Sequence, residues 1–161
     1  MADMLVRLYP LPEDPQLEPA LKEQGIVIKR ALAPDRTLAV AFAEKCGYPG
    51  FADEIRAAFA NQPVSCFLAV KDKQIIGFAC HEATCRGFFG PTAVLPEFRR
   101  RGVGRALLLR CLHALRELGY AYAFIGWPAE NAIHFYESAC GAVLLPDEGL
   151  GIYTRMVSAD E

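Results

Sequence analysis

The sequence predicts a mixed α/β fold, and three observations carry that reading. First, the apolar run Ala93-Val94-Leu95 stops at Pro96. A basic turn follows, and then a helical pattern runs from Gly102 to Leu118. The buried-type strand Ala121–Trp127 comes next, so strand, helix and strand form a parallel crossover unit. Second, Val64–Val70 and Gln74–Thr84 flank the polar turn Lys71-Asp72-Lys73 and read as an antiparallel hairpin. Third, Gly90-Pro91 interrupts the strand Phe88–Leu95. Proline cannot donate to a sheet ladder, so this strand is expected to part from a neighbour.

The remaining elements follow in chain order. Met4–Tyr9 reads as a short strand, after which Pro10, Pro12 and Pro15 break regular structure. Gln16–Gln24 reads as one short helix stopped by Gly25. Ile26–Arg30 is a strand. Pro34-Asp35-Arg36 opens a helix to about Lys45, and a second runs from Phe51 to Asn61 with Ile55, Ala58 and Phe59 as its buried stripe. In the long helix, Val103, Ala106, Leu107, Leu108, Cys111, Ala114, Leu115 and Leu118 recur at helical spacing. A short helix is expected over Glu130–Ser138. Two strands, Ala142–Leu145 and Gly151–Val157, are expected to close the fold. No repeat, linker or low-complexity stretch divides residues 1–161, which read as one domain.

Composition narrows the function classes. The 161 residues are 53% hydrophobic and 22% charged, enough apolar material for a sizeable core. No apolar run approaches the ~18 residues of a membrane span, and the first residues lack the basic and apolar regions of a signal peptide. A net charge of −2 argues against a general nucleic-acid binder. The six cysteines form no C-x-x-C pair and several sit in apolar runs, so they read as reduced core residues of a cytoplasmic protein. The three dispersed histidines give no metal pattern.

The local basic patch is the strongest functional signal. A helix start carries unpaired N–H groups and the positive end of the helix dipole, and anions bind there. Gly102 and Gly104 remove side chains that would hold a phosphate off the backbone, and Arg99, Arg100, Arg101 and Arg105 add cations. The pattern reads as a phosphate or pyrophosphate pocket, with a solvated basic turn as the plain alternative. A P-loop is excluded because the chain has no Gly-Lys pair. A dinucleotide fingerprint fails because Leu107 stands where its third glycine belongs.

Arg99-Arg100-Arg101-Gly102-Val103-Gly104 reads R-x-x-G-x-G, and Val94-Leu95-Pro96-Glu97-Phe98 precedes it. This stretch resembles the acyl-CoA signature of the GCN5-related N-acetyltransferase (GNAT) family. The later segment with Ala132, Tyr136 and Gly141 resembles that family's A-x-x-x-Y region. The likeness covers roughly residues 26–157, leaving 1–25 as an N-terminal extension that could serve as a cap, an edge strand or a dimer contact. The resemblance implies a central, mostly antiparallel sheet flanked by helices, with two parallel strands splayed around the pantetheine arm of acetyl-CoA. It implies that Thr92, Ala93 and Val94 hold the pantetheine, and that Arg99, Arg100, Arg101, Gly102, Val103, Gly104 and Arg105 hold the pyrophosphate. Tyr136 would protonate the leaving thiolate, and the N–H of Val94 would lie near the thioester oxygen. It also implies acetyl-CoA as co-substrate, no metal, a small-molecule or peptide amine as acceptor, and a homodimer.

Two departures from the family pattern stand out. The family often has an asparagine seven residues before the tyrosine; here that position is Ala129, and Asn131 either substitutes in contacting CoA or caps the helix. The strands where the family's carboxylate base is sought carry Thr92 and Phe124, so Glu82 and His81 are the substitutes, each equally readable as an exposed strand residue. Tyr48, Phe51, Asp53 and Glu54 become candidates for acceptor contact, because the family's acceptor site borders the connection between the first two core helices. Two rival readings stand beside the enzyme: a non-catalytic acyl-CoA-binding module, and a nucleotide binder unrelated to CoA.

Overall fold

The computed structural model describes residues 2–147 and 151–157. In chain order the elements are β1 (Met4–Arg7), α1 (Leu17–Glu23), β2 (Ile26–Arg30), α2 (Arg36–Lys45), α3 (Phe51–Ala60), β3 (Cys66–Lys71), β4 (Gln74–His81), β5 (Phe88–Val94), α4 (Val103–Glu117), β6 (Tyr122–Ile125), α5 (Ile133–Cys140) and β7 (Val143–Leu144). The strands form one seven-stranded sheet in the order β2-β3-β4-β5-β6-β1-β7. Every neighbouring pair is antiparallel except β5 and β6, which run parallel across the α4 crossover.

Alternation along the strands splits the core between two faces. Phe67, Ala69 and Ala79 turn to one face, where α4 lays down Val103, Leu107, Leu108, Cys111 and Leu115, and α1 adds Leu21. Cys66, Leu68, Phe78 and Cys80 turn to the other, against Ala39, Phe42 and Ala43 of α2 and Ile55 and Ala58 of α3.

Two sequence expectations change. The segment 1–25 is not an edge addition: β1 lies inside the sheet between β6 and β7, in register Met4↔Ile125 and Met4↔Leu144. The strand expected at Gly151–Val157 is instead a 3-10 turn, Ile152–Arg155. Its residues have strand propensity, but both sides of β6 are taken, by β5 and β1, so it finds no ladder there.

Candidate active site

The parting of β5 from its parallel neighbour is abrupt. The two strands pair only at Phe88↔Phe124 and Phe89↔Ile125, and Gly90-Pro91 follows at once. On its other side β5 stays on β4, with Ala79↔Thr92, Phe78↔Ala93 and Gly77↔Val94 in register. Thr92 is pinned there, its hydroxyl donating to the Phe78 carbonyl at 2.9 Å. Thr92, Ala93 and Val94 are half-buried, and among the described residues their edge away from β4 has no strand partner. The proline thus opens a gap, as the sequence led one to expect.

The start of α4 lies below that gap. Gly102, with φ +90°, makes the turn into the helix, a conformation that costs a glycine little. The Ala106 N–H is the one that bonds back to the Gly102 carbonyl, at 2.9 Å. The N–H groups of Val103, Gly104 and Arg105 precede it and have no acceptor within the helix. A Cβ on Gly104 would sit 3.7 Å from Phe135 Cζ and 3.9 Å from Val94 Cγ2, so β5, α4 and α5 converge at this glycine.

The four arginines divide in function. Arg99 Nε donates to the Val94 carbonyl at 3.0 Å. Arg101 stands over the Phe98 ring at 5.4 Å. Arg100 is exposed and has φ +60°. The Arg105 side chain turns elsewhere: Nε donates to Asp14 at 3.2 Å and a terminal nitrogen to the Ala139 carbonyl at 3.4 Å. Its guanidinium braces α4 against α5 and the segment before α1, which leaves its backbone N–H on the open turn. Leu17 of α1 packs on the same turn, its Cδ1 2.7 Å from where a Gly102 Cβ would stand.

Tyr136 is 7% exposed. Its ring meets Phe89 edge-on at 6.0 Å and Phe135 at 5.2 Å. Phe89 is the last β5 residue paired with β6, so Tyr136 stands where the gap opens. Burial, with Cys140 nearby, pushes its hydroxyl up to about 12, so the phenol keeps its proton at neutral pH. Asn131 is exposed in the 3-10 turn Glu130–Ala132, and its side chain caps neither that turn nor α5.

The two bases named from sequence are differently employed. Glu82 accepts from the Gly87 N–H at 2.5 Å and from the Tyr120 hydroxyl at 3.1 Å, bracing the β4–β5 loop. His81 is not the exposed strand residue that was the alternative: it is 2% exposed, stacks on Phe67, and neither ring nitrogen has a hydrogen-bond partner among the described residues. Burial and the Arg30 charge push it down to about 4, so its ring is neutral at pH 7.

A different polar cluster lies on the α2–α3 face. The Thr84 hydroxyl donates to Glu54 Oε1 and stands 3.4 Å from the Tyr153 hydroxyl. Burial lifts the Glu54 carboxyl above its ordinary value, against the Thr84 hydrogen bond, and burial raises Tyr153 too. Thr84, Ile152, Tyr153, Arg155 and Met156 line a cleft of about 260 Å³. Tyr153 is seated by Gly126, where a Cβ would come within 2.3 Å of Tyr153 Cε2 and 3.2 Å of Phe88 Cε1, and by Trp127 at 5.1 Å. Sequence reasoning named Glu54, from the family resemblance at the connection between α2 and α3, but not Thr84 or Tyr153. Of the other acceptor candidates, Tyr48 stacks on Phe51 at 4.9 Å, and Asp53 pairs with Arg56 at 2.8 Å. Among the described residues no group of His, Cys, Asp and Glu is placed to hold a metal ion.

Comparison with known proteins agrees with this architecture. Residues 49–142 match the model of the Acetyltransferase (GNAT) family. A GCN5-related N-acetyltransferase from Sphaerobacter thermophilus shares the fold with a TM-score of 0.68 at 18% identity, over 89% of this chain and 48% of that one. The GCN5-related glucosamine N-acetyltransferase region of a fungal multi-domain β-N-acetylglucosaminidase gives 0.67 at 13% identity, over 89% of this chain and 19% of that one. A GNAT acetyltransferase from Brucella melitensis, solved with acetyl-CoA, gives 0.52 at 19% identity, over 68% of this chain and 80% of that one. The chain thus spans less than half the length of the first two. No curated protein matches it. At these identities the solved structures establish the fold alone, whereas the family match reaches over more than half of the sequence and takes in both the open α4 turn and Tyr136: the chain belongs to the GNAT acetyltransferase family.

Proposed function

We propose that the protein transfers an acetyl group from acetyl-CoA to a primary amine, by direct attack in a ternary complex. The observation that carries this is the coincidence of three features at one place. They are the gap opened at Gly90-Pro91, the unpaired N–H groups of α4 below it, and Tyr136 at its mouth against Phe89. The pyrophosphate sits on the N–H groups of Val103, Gly104 and Arg105, with Arg99, Arg100 and Arg101 around it. The pantetheine runs along Thr92, Ala93 and Val94, and Asn131 lies beside its path. The Val94 N–H faces the thioester oxygen, where charge develops as the amine attacks. Carbon–nitrogen bond formation expels the thiolate, and Tyr136 gives it a proton.

The acceptor is a small-molecule amine in this reading, a class favoured by the glucosamine-acetylating region among the structural neighbours, with a protein amine as the alternative. The whole chain acts as one domain, which the place of β1 inside the sheet supports. Six free cysteines, four of them buried, suit a cytoplasmic protein. Among the described residues no helix is long and apolar enough to cross a membrane. A homodimer belongs to the proposal on family likeness only.

One observation favours a second reading. Glu82 is committed to its loop and His81 is sealed in the core, so neither is placed as a base; this suits a non-catalytic acyl-CoA-binding module. Calorimetric titration with acetyl-CoA, followed by a thiol-release screen over primary amines, separates the two. Binding with turnover supports the enzyme, binding without turnover supports the module, and no binding overturns both.

A further inference from the structure

We infer that the cleft beside Thr84 and Tyr153 receives the acceptor as a small cationic primary amine, and that Glu54 takes the amine's proton there. The inference rests on the acetyltransferase reading and supplies the base that reading lacks.

The sheet itself places the cleft. Phe88 and Phe89 are consecutive on β5 and point to opposite faces. Phe89 touches Tyr136. Phe88 lines the pocket around Gly126 into which the Tyr153 ring is pressed. The gap opens immediately past these two residues, so an acetyl group held in it is reached from both faces. Tyr136 approaches from the α4 face, and the Glu54–Thr84–Tyr153 cluster from the α2–α3 face.

The cleft is built for an amine. Thr84 occupies Glu54 Oε1 and so fixes the carboxylate. Glu54 Oε2 makes no hydrogen bond to a described residue and is not sealed from solvent. A half-buried carboxylate attracts an ammonium group more strongly than one in bulk water. Tyr153 lines the cleft, and the Trp127 ring packs against Tyr153 at 5.1 Å. Asp3, whose carboxylate accepts from the Trp127 N–H at 3.2 Å, adds negative charge. Glu54 acts electrostatically on Cys80 of β4 and on Tyr153, and Cys85 in the β4–β5 loop acts on Tyr153; burial suppresses the ionisation of all three. Among the described residues Arg155 is the one cation lining the cleft.

The protons balance. R–NH3⁺ gives one proton to the Glu54 carboxylate. The free amine attacks the thioester carbonyl; the C–N bond forms and the C–S bond breaks. The thiolate takes the Tyr136 proton, the second proton on the new amide nitrogen restores the phenol, and Glu54 releases its proton to water.

The test compares nucleophiles that need deprotonation with one that does not. Thiol release from acetyl-CoA is measured with ethylamine, cadaverine and glucosamine, and with hydroxylamine, which is largely unprotonated at neutral pH. Glu54→Gln is expected to lose roughly 100-fold or more in kcat/KM on the amine or amines that the wild type acetylates, in line with loss of a general base. It should keep its hydroxylamine rate, melting temperature and acetyl-CoA affinity. Thr84→Val, which frees the carboxylate, should show a weaker form of the same split. Equal loss on both nucleophile classes, or no loss on either, overturns the assignment. A wild-type protein that binds acetyl-CoA yet acetylates no amine of the three overturns the placing of the acceptor. Failure to bind acetyl-CoA overturns the underlying acetyltransferase reading itself.

Discussion

Gly102→Ala tests the turn on which the CoA reading depends. At φ +90° an L-residue is strained, at about 1–2 kcal/mol by the left-handed penalty. The new methyl would also stand 2.7 Å from Leu17 Cδ1, where carbon–carbon contacts prefer about 3.5–4.0 Å. Leu17 must back away by roughly 1 Å, which at the low end of overpacking costs adds about 1 kcal/mol. The total of about 2–3 kcal/mol corresponds to a fall in Tm of roughly 4–12 °C for a chain of this size. The assay is thermal unfolding of the single variant, of Leu17→Ala and of the double variant. With Leu17 truncated the clash vanishes, and Gly102→Ala should then cost only the strain of about 1–2 kcal/mol. Acetyl-CoA titration should show weakened binding in the single variant, because the Val103 and Gly104 N–H groups no longer point together. A Tm within about 1 °C of wild type would refute the strain argument. Strict additivity with Leu17→Ala would refute the contact with α1.

Three further outcomes are expected. Tyr136→Phe removes the proposed acid and should lower kcat by about 100-fold while calorimetry shows unchanged acetyl-CoA affinity; an unchanged kcat removes Tyr136 from the mechanism. Gly104→Glu puts a carboxylate on the open N–H groups and should abolish acetyl-CoA binding; retained CoA affinity would point to a ligand other than CoA. His81 has a folded value of about 4 against an ordinary 6.5, so the unfolded chain binds the proton first. The stability it confers is therefore present above about pH 6.5 and lost as pH falls towards 4, in all about 3 kcal/mol. His81→Leu should flatten that part of a Tm-versus-pH curve; an unchanged slope relative to wild type would show that His81 is not its source.

Much of this architecture was readable from local pattern. The hairpin, the α4 periodicity and the parallel crossover each follow from residues close in sequence, and Pro91 announced the gap because its missing N–H acts wherever the chain places it. What escaped reading depends on partners far apart. Ile152–Arg155 has the composition of a strand, but its fate was decided by Met4–Arg7 occupying a side of β6. Arg105 looked like one more cation for a phosphate; Asp14 and the Ala139 carbonyl, from two distant segments, claim its side chain. Glu54, Thr84 and Tyr153 meet from a helix, a loop and a 3-10 turn, and no spacing rule links them.

The position of β1 bears on how the molecule assembles. Met4 pairs with Ile125 and Leu144, so almost the whole chain lies between partners that hydrogen-bond side by side. Closing so long a loop delays the contact in folding. During synthesis β1 emerges early and must wait for β6 and β7, its unpaired edges exposed meanwhile. The half of the sheet built from β2 to β5 has no such wait, since its strands pair with near neighbours. Folding should thus proceed in two stages, with β1 fastening the second half last, and pulsed hydrogen exchange should find the amides of Leu5 and Val6 among the last to gain protection.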